Sequence, residues 1–96
     1  MLSMSRLSRE YVFVDIETVD DLSTATSEVA FMAAEAIPTV SDWHPADLVG
    51  TWSVRILVGP GSANAVELAP GDYQIWVKII DFPEAPVRRP GMLVIE

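Results

Sequence analysis

Apolar and polar residues alternate along most of this chain with a period of two, the spacing of strands that bury one face. In residues 11–17 (YVFVDIE), Val12, Val14 and Ile16 share one side, and Tyr11, Phe13, Asp15 and Glu17 share the other. Residues 51–58 (TWSVRILV) repeat the pattern, with Trp52, Val54, Ile56 and Val58 facing one way. So do residues 73–80 (YQIWVKII), with Tyr73, Ile75, Val77 and Ile79 inward. Residues 65–68 form a short strand and residues 87–95 the last one, where Pro90-Gly91 marks an edge position or a bulge. Residues 28–36 (EVAFMAAEA) are read as a strand from the alternation of Val29, Phe31 and Ala33, with a short helix as the alternative because Ala, Glu and Met favour one.

Between these segments the chain is punctuated. Asp20-Asp21-Leu22-Ser23-Thr24, Gly59-Pro60-Gly61-Ser62 and Ala69-Pro70-Gly71-Asp72 are turns, and residues 81–86 (DFPEAP) break the strand before them. Residues 38–50 (PTVSDWHPADLVG) are expected to be a loop, since two prolines leave little room for a ladder. Residues 1–10 follow neither period and are expected to form an extended N-terminal arm. No repeat of solenoid length is present. The expectation is an all-β fold of six to seven short strands, a β-sandwich over residues 11–96 with the arm at residues 1–10.

One corner narrows that expectation. Pro70-Gly71 makes a tight turn and Tyr73 opens the strand after it. A tyrosine so placed can fold back and donate its hydroxyl to the backbone just upstream, pinning the corner. Tyr73, Pro70 and Gly71 therefore resemble the corner of immunoglobulin-like and fibronectin type III-like modules. The resemblance implies that sandwich architecture, with Trp52 as its core tryptophan, and is silent on function.

Composition changes the picture in two ways. Ninety-six residues suffice for one domain, yet half of them are hydrophobic and the mean hydropathy is +0.30. Small domains are commonly completed by disulfides, metals or partners. There is no cysteine and His44 is the single histidine, so partners are the route this composition favours. The net charge of −8, from fourteen acidic and six basic residues, disfavours nucleic acid and anionic membrane surfaces alike. No apolar run approaches the roughly eighteen residues that cross a bilayer, and the first ten residues lack the apolar core of a secretory signal.

Candidate chemistry is sparse. His44 lies between Trp43 and Pro45 with no nucleophile elbow nearby, and Gly59-Pro60-Gly61 lacks the lysine and helix of a phosphate loop. Neither a catalytic residue nor a cofactor is expected, and the chain is read as a non-enzyme. Asp15, Glu17, Asp20 and Asp21 offer oxygen ligands that suit calcium, without a recognisable loop spacing. A solvated acidic face accounts for them, and no metal site is assigned. Aromatic residues carry more weight. Trp76, flanked by Ile80, falls on the face opposite Ile75 and Val77, and Trp43 and Phe82 lie in loops. Exposed aromatic and aliphatic groups mark protein interfaces, so Trp76, Ile80 and Phe82 are expected contact residues. Arg88 and Arg89 are the cations to meet a neighbour's carboxylates. In the arm, Leu2, Met4 and Leu7 are expected to order on binding a neighbouring subunit, with Arg6 and Arg9 facing acidic groups there.

A wider pattern runs through residues 11–96. It comprises a Trp-containing, Pro-rich loop, then Arg55-Ile56-Leu57-Val58-Gly59-Pro60-Gly61, then Leu68-Ala69-Pro70-Gly71-Asp72-Tyr73, and a segment from Asp81 to Gly91 with paired arginines. In that order these resemble the small virion structural proteins of tailed phages infecting actinobacteria. The resemblance implies a capsid accessory or decoration subunit, or a part of the head–tail connection. Its partners would be major capsid or neck proteins, and it would be a homo-oligomer or lattice-bound, assembled in the host bacterial cytoplasm. Docking rather than chemistry would be its mechanism. The alternative is an immunoglobulin-like binding module recognising a carbohydrate or a host protein.

Overall fold

The computed structural model describes residues 2–16, 25–50, 53–80 and 85–96. Among them are seven strands: β1 (Leu2–Met4), β2 (Glu10–Asp15), β3 (Thr26–Met32), β4 (His44–Val49), β5 (Ser53–Val58), β6 (Gly71–Ile80) and β7 (Val87–Ile95). All-β architecture is as expected. The two-sheet, immunoglobulin-like sandwich is not. The strands form one sheet in the order β1-β7-β6-β3-β4-β5-β2, antiparallel except for the parallel pair β1–β7, and the sheet curls strongly into a half-barrel.

The physical reason lies in β4. Residues 38–50 were expected to be loop, but His44–Val49 is a strand, preceded by one 3-10 turn at Val40–Asp42. Its first half pairs with β3 (Val29 opposite His44, Ser27 opposite Ala46) and its second half with β5 (Asp47 opposite Arg55, Val49 opposite Ser53). One short strand thus joins what would otherwise be two sheets. Pro45 is tolerated because β4 has a neighbour on one side only at that point, its ladder to β5 reaching no further than Asp47, so no second ladder needs its missing N–H. A second correction concerns residues 65–68. They are not a strand; Val66 alone bridges Val58, with its N–H donated to the Leu57 carbonyl at 2.9 Å.

Alternation fills the concave face. Val12 and Val14 of β2, with Ile16 just beyond it, meet Val29 and Phe31 of β3 and Val54, Ile56 and Val58 of β5. Ile75, Val77 and Ile79 of β6 and Leu93 and Ile95 of β7 complete the interior, and Val29 and Val54 are wholly inaccessible. Of residues 28–36, the first five are strand, within Thr26–Met32, and residues 33–36 leave it through a turn; no helix forms there. β7 carries the irregularity announced by Pro90-Gly91: Gly91 opposes Ile75 but Arg88 opposes Val77, so β7 holds one extra residue and Arg89-Pro90 face Trp76 together.

Residues 2–9 are held by the chain itself. Leu2–Met4 pairs with Leu93–Ile95, Met4 is buried in the core, and Glu96 exchanges backbone bonds with Met4 (2.8 Å) and Arg6 (2.9 Å). The backbone of Ser8 and Arg9 then lies against Gly59, where a Cβ would stand 2.2 Å from the Ser8 carbonyl oxygen.

Candidate docking face

Among the described residues, the convex side of β2 and β5 gathers the most exposed aromatic surface. Because Val12 and Val14 face the core, Tyr11 and Phe13 face outward and are 46% and 53% exposed. Their ring centroids are 6.4 Å apart, tilted by 56°. Register brings Leu57 opposite Tyr11, Arg55 opposite Phe13, and Ser53 opposite Asp15. The Arg55 guanidinium lies 4.6 Å from the Tyr11 ring centroid, and its Nε donates to Asp47 Oδ2 at 3.2 Å. Ser53 Oγ donates to Asp15 Oδ1 at 2.9 Å. A shallow cavity of about 200 Å³ adjoins this face, lined in part by Tyr11, Pro45, Asp47, Arg55 and Asn64.

Among the described residues, the backbone at the rim of this face has no partner. On the side of β5 away from β2, Val66 N–H bonds the Leu57 carbonyl and Gly59 N–H bonds the Val66 carbonyl, each at 2.9 Å. Strand amides alternate sides, so Val54, Ile56 and Val58 direct theirs to β2, where Val14, Val12 and Glu10 receive them. Tyr11, Phe13 and Asp15 therefore point their N–H and C=O groups away from β5. β2 ends the sheet, and no described strand meets them.

The residues singled out from sequence are spread more widely. Trp76 lies half-buried on the convex side of β6, opposite Ala30, with the Arg89 guanidinium 5.3 Å from its ring centroid; Ile80 is half-buried at the end of the same strand. The indole Nε1 of Trp76 is buried with no hydrogen-bond partner among the described residues. Arg88 is exposed and donates to its own neighbour's carbonyl at Val87. Lys78 lies 4.2 Å from the Trp43 ring centroid and 3.8 Å from Glu28, so Trp43 is engaged within the chain. Leu2 and Leu7 are exposed, whereas Met4 is in the core. Phe82, Trp52, Glu17, Asp20 and Asp21 lie outside the described residues.

Tyr73 Oη donates to the Ala69 carbonyl at 2.7 Å, four residues upstream, the bond a tyrosine corner requires. His44 is half-buried at the start of β4. Among the described residues no three His, Asp or Glu side chains converge as a metal site. Among the described residues, Asp42 has the one clearly displaced pKa. The backbone N–H of Thr39 bonds its Oδ2 at 2.7 Å and the Thr39 hydroxyl does so at 2.8 Å, and these bonds hold its carboxyl below the ordinary value of 3.8.

Tyr11 and Phe13 were not among the expected contact residues. Their parity was plain from the alternation, but tryptophans and arginines elsewhere outweighed them. No protein-family model matches this sequence, no curated protein is significantly similar to it, and no solved structure matches its fold.

Proposed function

We propose that this chain is a non-enzymatic structural protein of a tailed-phage virion, a head accessory or neck subunit that works by docking on other virion proteins through the β2 face. The supporting observation is the conjunction at β2: exposed Tyr11 and Phe13 stand directly beside a strand edge whose amides have no partner among the described residues. Aromatic side chains dominate interface energetics, and open strand edges add main-chain hydrogen bonds. The virion assignment itself rests on the resemblance of the segments around Arg55–Gly61 and Leu68–Tyr73, with the apolar half of the composition in its favour.

A carbohydrate-binding reading has one observation behind it, the cavity where Asp47, Arg55 and Asn64 surround Tyr11. Sugar recognition by an aromatic ring needs the ring's face, and the Arg55 guanidinium lies over that of Tyr11. Protein docking is the better fit. Particles purified by density gradient from cells producing the chain should contain it in many copies by quantitative mass spectrometry. The Tyr11→Ser/Phe13→Ser variant should fold but be depleted from them. Absence of the chain from particles, or undiminished incorporation of the variant, would refute this assignment.

A further inference from the structure

The two ends of the sheet leave open backbone among the described strands, and the fold treats them differently. The outer edge of β1 is three residues long. The half of β7 not covered by β1 carries Arg88, Arg89, Pro90 and a bulge, the devices by which natural sheets prevent further strand addition. β2 has neither a proline nor a bulge, and its charges, Glu10 and Asp15, stand only at its two ends. Its six residues, EYVFVD, contain no proline, glycine or lysine, and they pair with β5 in unbroken register. A regular, aromatic edge beside two guarded ones is a pairing surface.

We infer that the β2 edge pairs antiparallel with β2 of a second copy of this chain, about a twofold axis at Val12, making one continuous sheet across the dimer. This rests on the docking reading above and names the partner of that same edge. Residues directly opposite across an antiparallel pair project to the same side and keep the core face continuous only if their numbers sum to an even value. The outward amides belong to Tyr11, Phe13 and Asp15, so these residues must form the hydrogen-bonded pairs. With the axis at Val12, Tyr11 meets Phe13 of the second copy and Phe13 meets its Tyr11. Asp15 meets Arg9, which directly precedes β2 and is exposed. Two aromatic pairs are thus flanked by two opposite-charge pairs, the cross-strand combinations that stabilise sheets. No two carboxylates stand opposite each other. Shifting the axis to Phe13 sets Asp15 against Tyr11 instead and loses that charge match.

The net charge of −8 on each copy opposes association, so the experiment is set at about 0.15 M salt, where charges beyond about 8 Å are screened. Sedimentation velocity of the full chain over a concentration series should show a monomer–dimer equilibrium. Phe13→Pro removes an outward amide and an aromatic ring while sparing the β5 ladder, and it should sediment as a monomer with an unchanged circular-dichroism spectrum. Asp15→Arg places like charges opposite one another twice in the dimer and should weaken association roughly tenfold or more. Adding Arg9→Asp to Asp15→Arg should restore it, a rescue that does not depend on how well Phe13→Pro folds. A full chain that stays monomeric overturns the self-pairing, as does a dimer indifferent to Asp15→Arg or one the double swap fails to rescue. Particle incorporation is a separate readout: a monomeric chain that still enters particles through Tyr11 and Phe13 sinks the dimer and leaves the docking reading standing.

Discussion

Gly59 and Gly61 sit in one turn, and replacing each by alanine separates two physical costs. Both have positive φ, 134° and 88°, so either substitution incurs backbone strain of about 1–3 kcal/mol. Only at Gly59 does the new Cβ collide with main chain. It would stand 2.2 Å from the Ser8 carbonyl oxygen and 2.5 Å from Arg9 Cα, so the entry to β2 would have to move by about an ångström or more. Overpacking of this kind costs about a further 1–3 kcal/mol. At Gly61 the nearest atom is the Arg9 guanidinium nitrogen at 3.1 Å, the far end of a flexible side chain that swings away cheaply. Gly59→Ala is therefore expected to destabilise the chain by about 2–6 kcal/mol and Gly61→Ala by about 1–3 kcal/mol. A domain of this size has roughly 5–14 kcal/mol in all, so the first variant approaches unfolding. Urea denaturation followed by tryptophan fluorescence measures both. With a slope of about 1–2 kcal/mol per molar urea, the two midpoints should differ by roughly a molar. Equal midpoints would refute the packing of residues 8–9 on this turn, because strain alone would then explain both losses.

Other consequences are smaller. Tyr73→Phe removes the hydroxyl bond to the Ala69 carbonyl and should cost about 0.5–1.5 kcal/mol, towards the low end because Ala69 is exposed and water can replace the donor; an unchanged denaturation midpoint would mean the corner bond contributes nothing. Asp42 has its pKa lowered by Thr39, so its contribution to the 3-10 turn is complete above pH 3.8 and is lost as pH falls through the lower folded value. Thr39→Val keeps the backbone donor but deletes the hydroxyl, and should move the Asp42 carboxyl titration, followed by carbon-13 NMR, upward towards 3.8. Identical titration curves would show that the hydroxyl plays no part.

The strands with one dry face were legible because alternation and burial are the same pattern seen twice. Val12, Val14 and Ile16, then Val54, Ile56 and Val58, then Ile75, Val77 and Ile79 lie in the core where their parity puts them. β4 was hidden. HPADLV has a proline and an aspartate, its inner positions are only half-buried, and its pairing partners come from two different strands. The continuous sheet was hidden with it, since that continuity exists only through β4. β1 is too short for a period to appear, and what orders it is a partner some ninety residues away at Leu93–Ile95. At the candidate docking face, composition and parity point to different residues. Trp76 and Arg89 looked available for a neighbour, but they stack on each other, and Lys78 occupies Trp43 in the same way. Tyr11 and Phe13 carried the signal in their parity alone, and the open edge beside them required the strand order to be known.

Docking through β2 depends on that open edge, which residue-resolved amide hydrogen exchange along β2 reads out. In the dilute chain, Glu10, Val12 and Val14 should be protected by their bonds to β5, while Tyr11, Phe13 and Asp15 exchange quickly. When the chain assembles, the second set should become protected as well. Uniform protection of all six amides in the dilute chain would contradict an open edge. Fast exchange at Tyr11, Phe13 and Asp15 in the assembled state would contradict docking through β2.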